Sequence, residues 1–256
     1  YGITDSESEE DGAYLSWSKV AGSELDPKKY LAFQVLEYVL LNAPGAPVKK
    51  ALLDAGIGKD IFGGYDGELL QPTFTIAAKS AKPEQKEEFA ALIQKVLREQ
   101  AENGLNKNSL LAGLNNCEFR CREADYGRFP KGLMYGLQAF ESWIYDDTAP
   151  MIHLAYDETF AFLREAVNTG YFEELIREDL LSNQHGVLLT VLPKKGYLKE
   201  MEERTAKKLA EFKASLTPDQ IKELVRQTKE LKEFQDTPST EEELEAIPML
   251  NVSDIK

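Results

Sequence analysis

Residues 42–79 read NAPGAPVKKALLDAGIGKDIFGGYDGELLQPTFTIAAK, and this stretch decides the fold prediction. Its Pro-Gly-Ala-Pro segment at 44–47 ends one helix and begins another, because proline is tolerated in a first helical turn but not in a helix interior. Gly56 and Gly58 end this second helix. Polar and apolar residues alternate at 73–76, as they do in a half-buried strand. The stretch therefore predicts a helix, a break, a short helix and an extended hairpin.

The rest of the chain adds two more predicted strands and a series of helices. Residues 13–22 alternate in polarity, and the GVLLTVL run at 186–192 predicts a buried strand between a glycine and a proline. Apolar residues at helical spacing, with polar caps at the helix starts, predict helices at 26–41, 82–103, 106–125, 131–146, 157–168 and 171–181. Either Asn106 or Asn108 is expected to cap the third of these helices. We predict an α+β fold in which a mostly antiparallel sheet carries helices packed on one face.

The composition changes after Pro193. Residues 197–216 are highly charged, and Thr217-Pro218-Asp219-Gln220 forms the pattern of a capping box with proline at the first helical position. Two helices joined by so few residues predict an antiparallel helical hairpin. The predicted domains are therefore 1–194 and 195–256. Two helices alone bury little apolar area, so this hairpin needs another surface.

Length and charge narrow the classes of function. The chain has 256 residues, and its 43% hydrophobic content is enough for a substantial core. Thirty basic against 44 acidic residues give a net charge of −14. This balance argues against a nucleic-acid partner, because phosphates require clustered lysine and arginine. No apolar run approaches the roughly 18 residues that a membrane-spanning helix needs, so no membrane partner is expected.

The residues that could carry chemistry mostly have structural explanations. Cys117 and Cys121 lie four apart in a predicted helix and are expected to be reduced thiols, which fits a reducing compartment. The glycines at 56–58 do not match a nucleotide-binding loop and are expected to be caps and turns. Paired acids, including Asp146 and Asp147 at the end of an aromatic helix, are expected to be solvated or capping groups.

The order of several motifs carries a family resemblance. The motifs extend from the stretch at 42–79 to the end of the chain, and they are EFR at 118–120, READ at 122–125, PKGL at 130–133, SWIYDD at 142–147, YFE at 171–173, NQH at 183–185 and IPML at 247–250. From about Ala13 onward the chain resembles the second, non-catalytic domain of insulinase-type (pitrilysin-like) zinc metallopeptidases. The resemblance is closest to the presequence-protease subfamily, and it includes the helical hairpin that links the two halves of those enzymes.

The resemblance implies that this chain is itself inactive. The family binds zinc through His-x-x-Glu-His, whereas this chain has only His153 and His185, thirty-two residues apart. His153 lies in an apolar context that predicts a packed histidine, and His185 lies in a predicted turn. No catalytic, cofactor-binding or metal-binding residue is therefore predicted in this chain. Zinc and the catalytic glutamate are expected in another domain of the same polypeptide.

The resemblance also implies the partners of the domain. It would form part of a closed chamber, support the catalytic domain and help to hold unstructured oligopeptides, with residues 241–256 beginning a strap into the second half of the enzyme. A cytoplasmic location is expected. The alternative is a stand-alone structural or interaction module that uses the same fold without protease activity. An upstream His-x-x-Glu-His domain in the same reading frame would favour the peptidase.

Overall fold

The computed structural model describes residues 1–249 and 251–254 and divides into two units, Tyr1–Lys195 and Gly196–Lys256. The strands are β1 (Gly2–Ile3), β2 (Ala13–Val20), β3 (Asp60–Asp66), β4 (Thr73–Ala81), β5 (Gly186–Val191) and β6 (Lys194–Lys195). The helices are α1 (Pro27–Glu37), α2 (Pro47–Asp54), α3 (Lys86–Asn103), α4 (Lys107–Glu123), α5 (Lys131–Trp143), α6 (Asp157–Ala166), α7 (Tyr171–Leu175), α8 (Tyr197–Ser215), α9 (Pro218–Asp236) and α10 (Glu241–Glu245).

The first unit is built on a four-stranded antiparallel sheet in the order β3-β4-β2-β5. Trp17 on β2 pairs with Ile76 on β4 and with Leu188 on β5, which fixes the register across the centre of the sheet. The alternation predicted at 73–76 therefore marks a true strand. The predicted α+β class, with a mostly antiparallel sheet, is confirmed.

One face of the sheet carries the hydrophobic core. Leu15, Trp17, Phe74 and Ile76 point to this face and are buried. Helices supply the other side of the core, mainly through side chains that are fully buried and apolar, such as Phe33, Leu36, Leu52, Phe89, Ile93, Leu114, Phe160, Leu163 and Phe172. The caps follow the predicted chemistry: the Asp26 carboxylate accepts the first free amides of α1, and Asn106 caps α4.

The prediction that β5 is a buried strand is wrong. β5 lies at the edge of the sheet, next to β2 only. Its inward residue Leu188 packs on the core, but Val187 and Leu189 on the other face are 56% and 49% exposed. A continuous apolar run normally indicates a strand covered on both faces. Here the apolar residues on the outer face are left uncovered.

Other differences between the predicted and the observed elements are local. A second sheet, β1 with β6, pairs Gly2 with Lys194 in parallel, and its two-residue strands carry no sequence pattern. Two helices continue as π-helical segments, α1 into Tyr38–Asn42 and α7 into Ile176–Ser182. Leu250, in the predicted IPML motif, and the last two residues of the predicted strap, Ile255 and Lys256, lie outside the described residues.

The second unit contains α8 and α9, which are joined by Leu216 and Thr217. The predicted capping box is confirmed. The Gln220 amide donates to Thr217 Oγ1 at 3.2 Å, and the Thr217 amide donates to Gln220 Oε1 at 2.8 Å. No residue of α8 or α9 is buried, so the apolar stripes of both helices remain open along their length. An open groove beside the connection is lined by Phe212, Leu216, Ile221, Leu224 and Val225.

We expect Thr217→Ala to weaken the start of α9. The substitution removes the hydroxyl that accepts the Gln220 amide, and the loss of such a cap costs about 1 kcal/mol. Hydrogen exchange of the α9 amides should report a matching drop in protection. Thr228→Ala, in the middle of the same helix, is the control and should cause no such drop. Equal protection in wild type and T217A would contradict a role for the cap.

Candidate functional site

The face of the sheet that points away from the core is partly open to solvent. The register places Phe62, Ala77, Ser16 and Leu189 in one row across the four strands. Phe62 and Leu189, at the two ends of this row, are exposed, while Ala77 in the middle is covered by its neighbours. The row therefore has small residues at its centre and large apolar ones at its rim.

Hydroxyl groups line the centre of this outer sheet face. Ser18 Oγ lies 2.9 Å from Thr75 Oγ1 on the neighbouring strand and 3.4 Å from Ser16 Oγ on its own. Each of these hydroxyls can exchange its present partner for a ligand, since a hydroxyl both donates and accepts. An extended peptide crossing this face would meet hydrogen-bonding groups at the centre and apolar contacts at Phe62 and Leu189.

A tight approach of two strands positions the rim residue Phe62. Gly63 follows it on β3, and a Cβ at this position would lie 2.1 Å from the carbonyl oxygen of Thr75 on β4. A Cβ at Gly64 would come no closer than 3.7 Å to any atom, which is ordinary contact. Position 63 therefore requires glycine because a Cβ would collide with β4, whereas position 64 has room for a Cβ.

The core side of the unit contains a buried contact between a histidine and a carboxyl group. His153 Nε2 lies 2.8 Å from Glu24 Oε1 and 3.0 Å from the Glu24 carbonyl oxygen, and both side chains are almost completely buried. Tyr30 packs against the His153 ring at 4.1 Å between centroids and donates to Glu141 Oε2 at 3.2 Å. In the described part of the chain, both carboxyl oxygens of Glu24 and His153 Nδ1 lack a well-aligned hydrogen-bond partner.

Burial affects the two carboxyl groups of this cluster. It raises the pKa of the Glu24 carboxyl above its usual range, and the His153 contact opposes the rise. Burial also raises the pKa of Glu141, and the nearby Glu24 charge adds to the effect. The cluster links the loop before α6 to the start of α1 and to α5. Because 129 positions separate Glu24 from His153, the sequence carries no local signal for the pair.

The remaining residues considered from the sequence occupy structural positions. His185 lies in an exposed turn, where its amide donates to Asn183 Oδ1. Asp146 Oδ1 accepts the amide and the hydroxyl of Thr148, which holds the turn after α5 and lowers the pKa of Asp146. Asp147 is exposed in that turn.

The two cysteines are free thiols on the same helix. Cys117 is buried and Cys121 is half-buried, and burial raises the pKa of both thiols. Gly56 and Gly58 have left-handed backbones, with φ of 70° and 72°, which fits the predicted caps and turns.

Neither a cluster of metal ligands nor a membrane-spanning helix occurs within residues 1–249 and 251–254. In these ranges, no group of three or more His, Cys, Asp or Glu side chains has the arrangement of a metal site. No helix in this part of the chain has the length and apolar character needed to cross a membrane.

Comparison with known families identifies what kind of domain this is. Residues 3–116 match the model described as Peptidase M16 inactive domain, and residues 191–256 match a model described as associated with subfamily C of the same peptidases. The chain belongs to the M16 peptidase family. The two matched ranges fall on the sheet-bearing unit and on the α8–α9 segment, in the order that the resemblance predicted.

Similar proteins agree with this assignment to the M16 family. Protein HypA of Clostridium perfringens is 40% identical over 255 residues, which cover 100% of this chain and 26% of that protein. Presequence protease 1 (chloroplastic/mitochondrial) of Arabidopsis thaliana is 35% identical over 238 residues, covering 90% of this chain and 22% of that protein. The chain thus spans about a quarter of the length of these curated relatives.

A solved structure supports the M16 fold independently. A domain from Bordetella parapertussis, described as the inactive peptidase domain of a zinc protease, superposes with a TM-score of 0.54 at 10% identity. The match covers 75% of this chain and 95% of that domain. Together with the family models, it identifies this chain as a non-catalytic M16 domain.

Proposed function

We propose that this M16 domain forms part of the wall of a peptide-degrading chamber. In this role it supports a zinc-bearing catalytic domain elsewhere in the same polypeptide and contacts unstructured oligopeptides. The observation that carries the proposal is the open outer sheet face, with hydroxyls at its centre and exposed Phe62, Val187 and Leu189 at its rim. A sheet face of this kind offers both the polar and the apolar contacts that an extended peptide requires.

The chemistry of the polypeptide would reside outside this chain. A catalytic zinc site needs three protein ligands of nitrogen, sulfur or oxygen type around an open position. This chain has two histidines, and the Nε2 of His153 already faces Glu24. A cytoplasmic location fits the free thiols Cys117 and Cys121, because disulfides are rare in reducing compartments.

The test uses the parent polypeptide, with Leu189→Glu as the variant. A carboxylate on the outer sheet face would lose hydration when a peptide covers it. We expect kcat/KM for an unstructured peptide to fall at least about tenfold, with zinc content unchanged. Leu111→Glu on α4, another exposed leucine, is the control and should leave kcat/KM near the wild-type value. Equal activity of L189E and wild type would refute peptide contact at this face.

The 256-residue chain by itself tests a second part of the proposal, that its own residues neither bind zinc nor cleave peptides. We expect metal analysis to find no stoichiometric zinc and a fluorogenic peptide to remain uncut. One tightly bound zinc per chain, together with cleavage that a chelator abolishes, would overturn the non-catalytic assignment.

A further inference from the structure

Helix α5 carries an apolar stripe that faces solvent. Leu133, Leu137, Phe140 and Ile144 are spaced by four, three and four residues, which places them on one side of a helix and its last turn. All four are between 51% and 63% exposed. Trp143 is also exposed, and its ring stacks on Phe140 at 5.4 Å between centroids. We call Leu133, Leu137, Phe140, Trp143 and Ile144 the α5 stripe.

Polar contacts beside the stripe, at Glu141, and behind it, at Ser142, hold α5. Glu141 Oε2 accepts the Tyr30 hydroxyl at 3.2 Å, and Ser142 Oγ donates to the Ala149 carbonyl at 2.6 Å. Ser142 is the buried residue of this helix. A surface helix normally turns its apolar side to the core and its polar side to water. α5 has the reverse arrangement, which indicates that a partner covers the stripe.

The charge distribution narrows the identity of that partner. Glu141 is the one acidic residue between Lys131 and Trp143, and its carboxylate accepts the Tyr30 hydroxyl. The five residues of the stripe are uncharged, but Glu141 and Glu68 line the same groove as Leu137, Phe140 and Ile144, so the edge of the stripe is acidic, like the chain with its net charge of −14. Pairing two copies of such an acidic chain would bring like charges together, which disfavours a second copy. An apolar face on a different structure, with basic groups opposite these carboxylates, suits the stripe better.

The length of the relatives indicates which partner could cover the α5 stripe. The chain covers 26% of the Clostridium perfringens protein and 22% of the Arabidopsis thaliana protease, so most of each relative lies outside the matched part. Interfaces between domains of one chain commonly bury about 600–1,500 Å², and several large, half-exposed residues are the usual content of such an interface.

We propose that the α5 stripe is the surface on which this domain docks against an apolar face of the remaining part of its own polypeptide. The proposal rests on the proposed function, because it takes this chain to work as one domain of a longer peptidase. It adds the specific contact surface, centred on Leu137 and Phe140. The docked face of the partner is expected to be apolar, with basic groups at the edge that meets Glu68 and Glu141.

The experiment mixes this chain with the separately produced remainder of the polypeptide and measures binding by sedimentation. The variant is Leu137→Asp, which places a charge at the centre of the α5 stripe. We expect the dissociation constant to rise at least about tenfold, as for the loss of a central interface residue. Leu53→Asp on α2 is the matched control, since Leu53 is also an exposed leucine on a helix, and it should bind like wild type.

Each outcome has a separate meaning. If the wild-type chain binds the remainder and L137D binds equally well, the α5 inference is wrong and the proposed function stands. If the wild-type chain does not bind the remainder at all, both fail. If L137D instead abolishes a dimer of the chain itself, the occupant is a second copy and the inference is wrong.

A second measurement avoids any effect of the substitution on folding. A photo-reactive amino acid at position 137 of the full-length polypeptide should cross-link to residues outside this domain, whereas the same probe at position 53 should not. Cross-links from position 137 confined to the domain itself would overturn the inference.

Discussion

His153→Ala is expected to lower the free energy of unfolding by about 3–5 kcal/mol, because it leaves the Glu24 carboxyl buried without its partner. His153 also packs against Tyr30, so the variant loses an aromatic contact as well. Urea unfolding followed by circular dichroism measures the change. His185→Ala is the matched control, and because His185 lies in an exposed turn it should change stability by less than about 0.5 kcal/mol.

The loss in H153A should depend on pH with a definite sign. Burial raises the pKa of Glu24 from 4.5, and removal of His153 takes away the contact that opposes this rise. The folded variant therefore retains a proton that its unfolded state releases as the pH increases above about 4.5, so its stability falls with rising pH. The difference between wild type and H153A should grow as the pH rises above about 4.5. A loss that is constant over this range would contradict a buried carboxyl as its cause.

Gly63→Ala should also be strongly destabilising. The added Cβ would lie 2.1 Å from the Thr75 carbonyl oxygen, and backbone on the neighbouring strand cannot rotate away as a side chain can. We expect a loss of about 3 kcal/mol, at the upper end of typical overpacking costs, because β3 must separate locally from β4. The midpoint of thermal or urea unfolding measures it.

The adjacent glycine provides the control for this substitution. In Gly64→Ala the new Cβ has no neighbour closer than 3.7 Å, so the stability should change by less than about 0.5 kcal/mol. A similar loss in both variants would mean that general strand entropy, rather than the contact with Thr75, makes glycine necessary at 63.

The parts of the fold that local patterns encode were predictable. β4 alternates because one of its faces is buried, and the Asp26 and Thr217 caps satisfy helix amides within three residues of themselves. The prediction that β5 is buried is wrong because Val187 and Leu189 on its outer face are apolar. They give β5 the same continuous apolar pattern as a strand that is covered on both faces. A short strand whose residues are apolar throughout can thus have one exposed apolar face and need not be buried on both faces.

The candidate sites depended on contacts between distant residues, and these were not predictable. Glu24 and His153 are 129 positions apart, and neither has a local pattern that points to the other. Phe62 becomes a neighbour of the Ser16 row only through the strand order. The α5 stripe has clear helical spacing, but spacing alone does not tell which side of a helix faces the core. The burial of Ser142 on the other side of α5 decides it.

The two π-helical segments have a consequence for how the length of this domain can change. In Tyr38–Asn42 the Ala43 amide bonds to the Tyr38 carbonyl five residues back, so this turn holds one residue more than an α-helical turn. Removing that residue would restore ordinary α-helical bonding locally, without altering the strands. The same holds for Ile176–Ser182. Single-residue insertions and deletions among related domains can therefore be absorbed at the ends of α1 and α7, while the sheet and its register remain the same.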